Sequence, residues 1–389
     1  MTVSNRLDRL SIDNYLLPSH ITDTLLSPAL IIYLPKVRAN IAQMLRYVDG
    51  EPTRWRPHLK TAKTPRIFEE YANAGCRHFK CATPREASVL YETLAAIGVD
   101  DADLVVAYPH RGPALRQLGG LADRYRQFRT AVVCEDPTLL DDWPTGLDVF
   151  IDLNPGMNRT GLPITDHRAI DAIAAGAGEK FRGLHFYDGH IHDETSEGRR
   201  AAAHSLYARL VDARERLVAK GIPVGEVITS GTPTFRYALD YAPFAQLDGG
   251  RHSISPGTVV FHDMQYDALL EDVELTPAAV LFSRVVSHPA AHIVTSDAGS
   301  KSLACEAGQP VAFAVGHQEL TALGPSEEHL PWQVERGPPP ERGHELYLVP
   351  RHVCPTVNLA EHAIVVDDQG AIEVCDVTAR AHDLQFPAG

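Results

Sequence analysis

The chain has 389 residues, 44% of them hydrophobic, which is more than one ordinary core needs and predicts two domains. Its 36 basic and 50 acidic residues leave a net charge of −14 with no block rich in lysine or arginine, which argues against nucleic acid or an anionic membrane surface as a partner. No run of 18 apolar residues occurs, the first residues lack a signal-peptide core, and six thinly spread cysteines include no Cys-x-x-Cys, so a cytoplasmic protein without a disulfide framework is expected.

Residues 1–27 read as a polar lead-in, available to pack with the second domain. Across 28–270, apolar strand patterns alternate with helical ones. The strand 30–34 is followed by Val37, Ile41, Met44, Leu45 and Val48 at helical spacing. Further strands are predicted at 55–59, 78–82, 104–108, 129–133, 148–153, 182–187, 226–230 and 245–248, with helices such as 84–97 and 197–220 between them. About eight parallel strands with intervening helices predict a closed β/α barrel of the TIM type. An open doubly wound sheet is the alternative, and the absence of Gly-x-Gly-x-x-Gly after the first strand counts against it. From 271 to 389 the chain turns to short β segments (279–286, 292–296, 310–315, 345–349, 363–366, 372–376) broken by Gly, Pro and Asp. This predicts a second, mostly β domain.

Chemistry-bearing residues collect at predicted strand ends. Arg56-Pro57-His58-Leu59-Lys60-Thr61-Ala62-Lys63 puts Lys60 after the strand 55–59 and before a helix opening at Thr64-Pro65, where the missing proline N–H costs nothing. In an α/β chain the C-terminal mouth of a strand is where catalytic groups gather. Asn154-Pro155-Gly156-Met157-Asn158-Arg159-Thr160-Gly161 follows another apolar strand. His185-Phe186-Tyr187-Asp188-Gly189-His190-Ile191-His192 crowds titratable groups into one strand-end loop. Ser230-Gly231-Thr232-Pro233-Thr234 offers backbone N–H groups and hydroxyls suited to a phosphate, and Ser255-Pro256-Gly257-Thr258 is a second candidate. Late in the chain, His352-Val353-Cys354 would point imidazole and thiolate to one face if the segment is extended.

Arg-Pro-His-x-Lys-Thr-x-Lys resembles the pyridoxal-phosphate (PLP) lysine motif of the D-threonine aldolase and D-serine dehydratase family, relatives of alanine racemase. Motifs near 159, 187, 230, 257, 301 and 352 follow in family order, so the resemblance spans roughly the whole chain. It implies that Lys60 holds PLP as a Schiff base and that Arg159 sits by the cofactor's phenolic oxygen. It makes His185 or Tyr187 the ring contact, with His190 or His192 facing the substrate. The phosphate would meet Ser230, Gly231 and Thr232, with Gly257 and Thr258 in the family's Pro-Gly loop. The chain departs from the pattern at Ala62, where many members have histidine. Ser255 stands where relatives usually carry arginine and Val259 where they usually carry tyrosine, which leaves the partner of the pyridine nitrogen unassigned.

His-x-Cys-Pro-Thr-Val-Asn-Leu is similar to the metal segment of D-serine dehydratases, whereas several D-threonine aldolases have Asp in place of Cys354. His352 and Cys354 are therefore read as ligands of a divalent metal. A soft thiolate favours zinc over manganese or magnesium. The resemblance implies a homodimeric PLP- and metal-dependent lyase of β-hydroxy-D-amino acids. Retro-aldol cleavage is placed first on the histidine-rich loop, and dehydration second on Cys354. A racemase needs no divalent metal, and a non-catalytic PLP-binding protein is usually a single barrel.

Overall fold

The computed structural model describes residues 6–191, 193 and 195–384. The chain forms two compact units, one of residues 1–43, 61–67 and 258–381, the other of residues 44–60, 68–257 and 382–389.

In the second of these, seven parallel strands pair in chain order among the described residues. They are His78–Cys81, Ala102–Val106, Phe128–Cys134, Leu147–Asn154, Phe181–Phe186, Glu226–Thr229 and Arg251–Ile254. Helices including Pro84–Ala96, Gly112–Arg124, His167–Ala177 and Ser196–Ala219 connect them. Local chemistry fixes each entry. Thr83 Oγ1, for example, accepts from Glu86 N, while Glu86 Oε2 accepts from Ala82 N, so the chain stops being a strand right after Cys81. Val105, Ala131, Val133, Phe150 and Ile228 form a buried cluster.

Residues 55–59, expected as a strand, make two isolated bridges instead, Trp55 to Ile254 and His58 to Lys80. Arg56 N donates to Ile254 O at 2.8 Å, Leu59 N donates to Lys80 O at 2.8 Å, and Pro57 O accepts from Lys80 N at 3.1 Å. The segment thus joins the last strand of the sheet to the first. It cannot form a regular ladder because Pro57 has no N–H to donate. The expected strand at 245–248 is also corrected. Residues Ala242–Gln246 form a 3-10 turn with a proline in its first turn and Phe244 buried, and the last parallel strand is Arg251–Ile254.

At the N-terminal ends of these strands, Arg56 is fully buried. Its Nε and Nη2 donate to the two carboxylate oxygens of Glu226 at 2.6 and 2.7 Å, and its Nη1 donates to Asp103 Oδ1 at 2.8 Å. Burial works against the Glu226 carboxylate, but Arg56 and then Arg251 outweigh it and hold the group well below the ordinary carboxylate range. A carboxylate whose folded pKa is depressed stabilises the fold above its unfolded pKa, and that contribution is lost as pH falls through the folded value. Glu226→Gln is expected to lower stability at neutral pH by about 3–5 kcal/mol, because it leaves a buried guanidinium short of charge. Urea unfolding should show the gap from the parent protein narrowing as pH falls below the ordinary carboxylate range.

The other unit is a mostly antiparallel sheet. Ala29–Tyr33, read from sequence as the opening strand of the barrel region 28–270, lies here instead. It pairs antiparallel with Ala279–Ala290 and parallel with His362–Val366. Ala279–Ala290 pairs onward with Ile293–Ser296 and Glu345–Pro350. Leu7, Tyr15 and Leu17 of the lead-in share a core with Ile31, Val280, Phe282 and Val349. The expected boundary at 27/28 is therefore displaced, since a strand with both faces buried goes where it finds two partners. The short strands Leu320–Ala322 and Leu330–Val334 and the helix Val353–Leu359 were not expected from the sequence. No helix among the described residues is long and apolar enough to cross a membrane.

Candidate active site

Lys60 follows the bridging segment 55–59 directly and is half-buried, and its backbone N–H donates to His58 Nδ1 at 3.4 Å. His58 itself is buried. Desolvation, then the charges of Lys60, Lys80, His185 and Arg159, push its imidazole well below the usual histidine range. Lys80 and His185 stand within strands, Arg159 in the turn after one, and Lys60 directly after the bridging segment. Arg159 belongs to the turn after Leu147–Asn154, where Asn154 Oδ1 accepts from Gly156 N at 2.9 Å and Asn158 N at 3.1 Å. Its guanidinium carbon lies 4.7 Å over the Tyr187 ring, and Lys80 Nζ lies 5.4 Å from the same centroid. His185 Nδ1 is 2.7 Å from Asp152 Oδ1. Burial lowers the pKa of this imidazole, against the opposing pull of Asp152.

The turn after Glu226–Thr229 fits a phosphate. Ser230 adopts φ +54°, and its buried Oγ has no hydrogen-bond partner among the described residues. The N–H groups of Gly231 and Thr232 donate to no protein atom among them either. A side chain at Gly231 is excluded, because a Cβ there would lie 2.7 Å from the Tyr187 ring. A buried hydroxyl and adjacent backbone donors left open in this way are what an anion takes up.

His190 lies against the Gly156 turn, where a Cβ would come within 3.4 Å of its Nε2, and its Nδ1 is buried without a partner among the described residues. Asp188 anchors this loop by accepting from Tyr207 Oη at 2.5 Å and Thr234 Oγ1 at 2.7 Å. His192 lies outside the described residues.

His352 and Cys354, expected to be metal ligands, belong to the mostly β unit, and their local structure differs from the extended segment expected. His352 is extended and caps the helix Val353–Leu359, while Cys354 sits in that helix's first turn. Val353 N donates to Asp263 Oδ2 at 3.0 Å, which starts the helix here. Cys354 Sγ is 3.1 Å from Thr61 Oγ1 and 3.2 Å from Thr258 Oγ1, so Thr258, expected in the Pro-Gly phosphate loop, contacts the thiol. His352 Nδ1 is 2.6 Å from Glu306 Oε1. Burial disfavours its imidazolium, but the hydrogen bond and charge of Cys354, then Asp263 and Glu306, push His352 up to about 9. With Nδ1 turned to a carboxylate, Nε2 is the nitrogen left for an ion, the usual arrangement of a ligating histidine. Among the described residues no group of three or more His, Cys, Asp or Glu is placed to hold an ion.

Sequence reasoning did not find Lys80, the Asp152 partner of His185, or the Asp263 and Glu306 carboxylates around the metal pair. Lys80 carried a signal: it lies between Phe79 and Cys81 in the strand predicted at 78–82, and a lysine between two such residues is seldom fully buried without a partner.

A family model for the alanine racemase N-terminal domain matches residues 32–263, and one for a serine dehydratase domain matches residues 278–366. D-threonine aldolase of Arthrobacter sp is 28% identical over 366 residues, 91% of this chain and 92% of that protein. D-threo-3-hydroxyaspartate dehydratase of Delftia sp. (strain HT23) is 28% identical over 282 residues, 69% of this chain and 70% of that protein. The crystal structure of D-threonine aldolase from Filomicrobium marinum matches with a TM-score of 0.78 at 27% identity, over 92% of this chain and 96% of that one.

Proposed function

From the premise that the chain belongs to the alanine racemase N-terminal domain family, we propose that it is a PLP- and divalent-metal-dependent lyase that cleaves Cα–Cβ of β-hydroxy-D-amino acids. The observation that carries this reading is the turn at Ser230–Gly231, whose buried hydroxyl and backbone N–H groups have no partner among the described residues, with Arg159 and Gly231 both against the Tyr187 ring and Lys60 hydrogen-bonded through its backbone to His58. Likeness over nine-tenths of the chain to a D-threonine aldolase supports the same reading.

The cofactor, when bound, supplies the delocalisation that lets electrons leave Cα. The protein's part is to position it and choose the bond. Lys60 would hold it covalently, Arg159 would face its phenolic oxygen, and Ser230, Gly231 and Thr232 would donate to its phosphate. His190 Nδ1, buried and unpartnered among the described residues, is the base we assign to the β-hydroxyl proton. An ion on His352 and Cys354 would act as a Lewis acid toward that hydroxyl and make its proton easier to remove.

Cys354 favours a second reading, β-elimination of water, because aldolases of this resemblance often carry Asp at that place. In that reaction Lys60 would take the Cα proton and the metal would assist the departing hydroxyl. Incubation with PLP, zinc and D-threonine or D-serine separates the two. Cleavage of D-threonine yields glycine and acetaldehyde, whereas dehydration yields 2-oxobutyrate from D-threonine and pyruvate from D-serine. Glycine without oxo acid is the expected result. Oxo acid alone would establish the second reading, and neither product from either substrate would overturn both. The resemblance also implies a homodimer, which sedimentation of the active enzyme checks.

A further inference from the structure

Lys80 is an amine buried in the middle of a strand, and among the described residues no carboxylate lies within ion-pair distance of it. Its Nζ is hydrogen-bonded to Ser255 Oγ and lies 3.4 Å from His185 Nε2. Resting on the PLP reading above, we propose that Lys80 is the hydrogen-bond donor for the cofactor's pyridine nitrogen. It would do from a neighbouring strand what Ser255 is too short to do.

The hydrogen-bond inventory around it supports this assignment. Ser255 has one proton, and its Oγ is 2.9 Å from Ser230 O and 3.2 Å from Thr229 O, carbonyls that can only accept. Its proton is committed to the backbone, and its lone pairs receive Lys80. His185 is similarly committed. The Asp152 carboxylate at 2.7 Å can only accept, so Nδ1 carries the proton, and in the neutral ring that burial favours, Nε2 presents a lone pair to Lys80. Neither Ser255 nor His185 can therefore donate to a ring nitrogen. Lys80 can, because an ammonium has three N–H groups and only two are taken here.

Its position agrees. The bridge between His58 and Lys80 sets the lysine level with His58, two residues deeper along the strand direction than Lys60. The pyridine nitrogen is para to the ring carbon bearing the aldehyde, so it is the ring atom farthest from the Lys60 attachment. The remaining polar points of the ring already have partners in Arg159 and the Ser230–Gly231 turn, which adjoin the same Tyr187 side chain as Lys80. Burial, and then the charges of Lys60 and Arg159, bring Lys80 down to about 7, so a neutral acceptor such as a pyridine lone pair is enough to favour its protonated, donating form.

The test is binding, not turnover. Full-length apoprotein is titrated with PLP and with its 1-deaza analogue, in which C–H replaces the ring nitrogen, and binding is followed by absorbance and protein fluorescence. The parent protein should prefer PLP by about ten-fold or more, the worth of a buried hydrogen bond from a charged donor. Lys80→Met should abolish that preference while leaving affinity for the deaza analogue nearly unchanged, and Lys80→Arg should keep it. Thermal unfolding reports whether the variants fold. Ser255→Ala, which removes only the hydroxyl anchoring Lys80, should narrow the preference in a folded protein even if Lys80→Met does not fold. An undiminished preference for PLP in Lys80→Met, or in Ser255→Ala if that is the variant that folds, would overturn the assignment of Lys80. Failure of the parent protein to bind either compound would overturn the cofactor reading itself.

Discussion

Lys60→Ala is expected to abolish the visible band of the lysine–cofactor adduct and to reduce lyase turnover by about a thousand-fold or more, the scale seen when a covalent group is removed from a catalytic unit. The fold should survive. Lys60 is half-buried, and its ammonium makes no hydrogen bond among the described residues, so truncation should cost little stability. The bridges that hold its segment involve Trp55 and His58, not the lysine side chain. Borohydride reduction of the parent enzyme followed by peptide mass mapping should place the adduct on Lys60. A reducible adduct persisting in Lys60→Ala would refute the assignment, and mapping would then name the replacement. Lys63, adjacent in the motif, is a poor substitute because its Nζ donates to Ala379 O at 3.3 Å. Lys80, which burial holds below the ordinary lysine range, would be the next residue to examine.

Chelation of the divalent ion is expected to depress lyase turnover by about a hundred-fold or more while shifting the unfolding temperature little. A site built on His352 and Cys354 alone would leave coordination positions open, as in a catalytic site, whereas a closed structural site takes its domain down when emptied. The segment also has its own supports. Val353 N donates to Asp263 Oδ2, Thr356 Oγ1 donates to His352 O at 2.8 Å, and Ala304 N donates to Thr356 Oγ1 at 3.1 Å. If the ion serves only the β-hydroxyl, exchange of the Cα proton of D-alanine should continue in metal-free enzyme, because that substrate has no such group. NMR of that exchange beside the lyase assay, before and after chelation, reads both. Cys354→Asp exchanges a soft ligand for a hard one and should move the metal preference from zinc toward manganese or magnesium. Full lyase activity without metal would reduce His352 and Cys354 to a packed pair.

The sequence by itself determined what depends on near neighbours. Alternation of strand and helix patterns gave the parallel architecture, the Thr64-Pro65 start gave the helix Pro65–Asn73, and turn chemistry put Arg159 and Ser230 just past strands. These are properties of spacing and turn chemistry, which act over a few residues. Tertiary structure decided which strand meets which. Ala29–Tyr33 is as apolar as a barrel strand, and only partners some 250 and 330 residues away along the chain, at Ala279–Ala290 and His362–Val366, place it in the other sheet. The same holds for Cys354, whose helical turn begins where Asp263, remote in sequence, accepts the Val353 N–H. Lys80 is the clearest case. A lysine within Phe79-Lys80-Cys81 has no meaning as a donor until two other strands bring Ser255, His185 and the Tyr187 ring around it, because the partners of this buried amine lie across strands and not along its own.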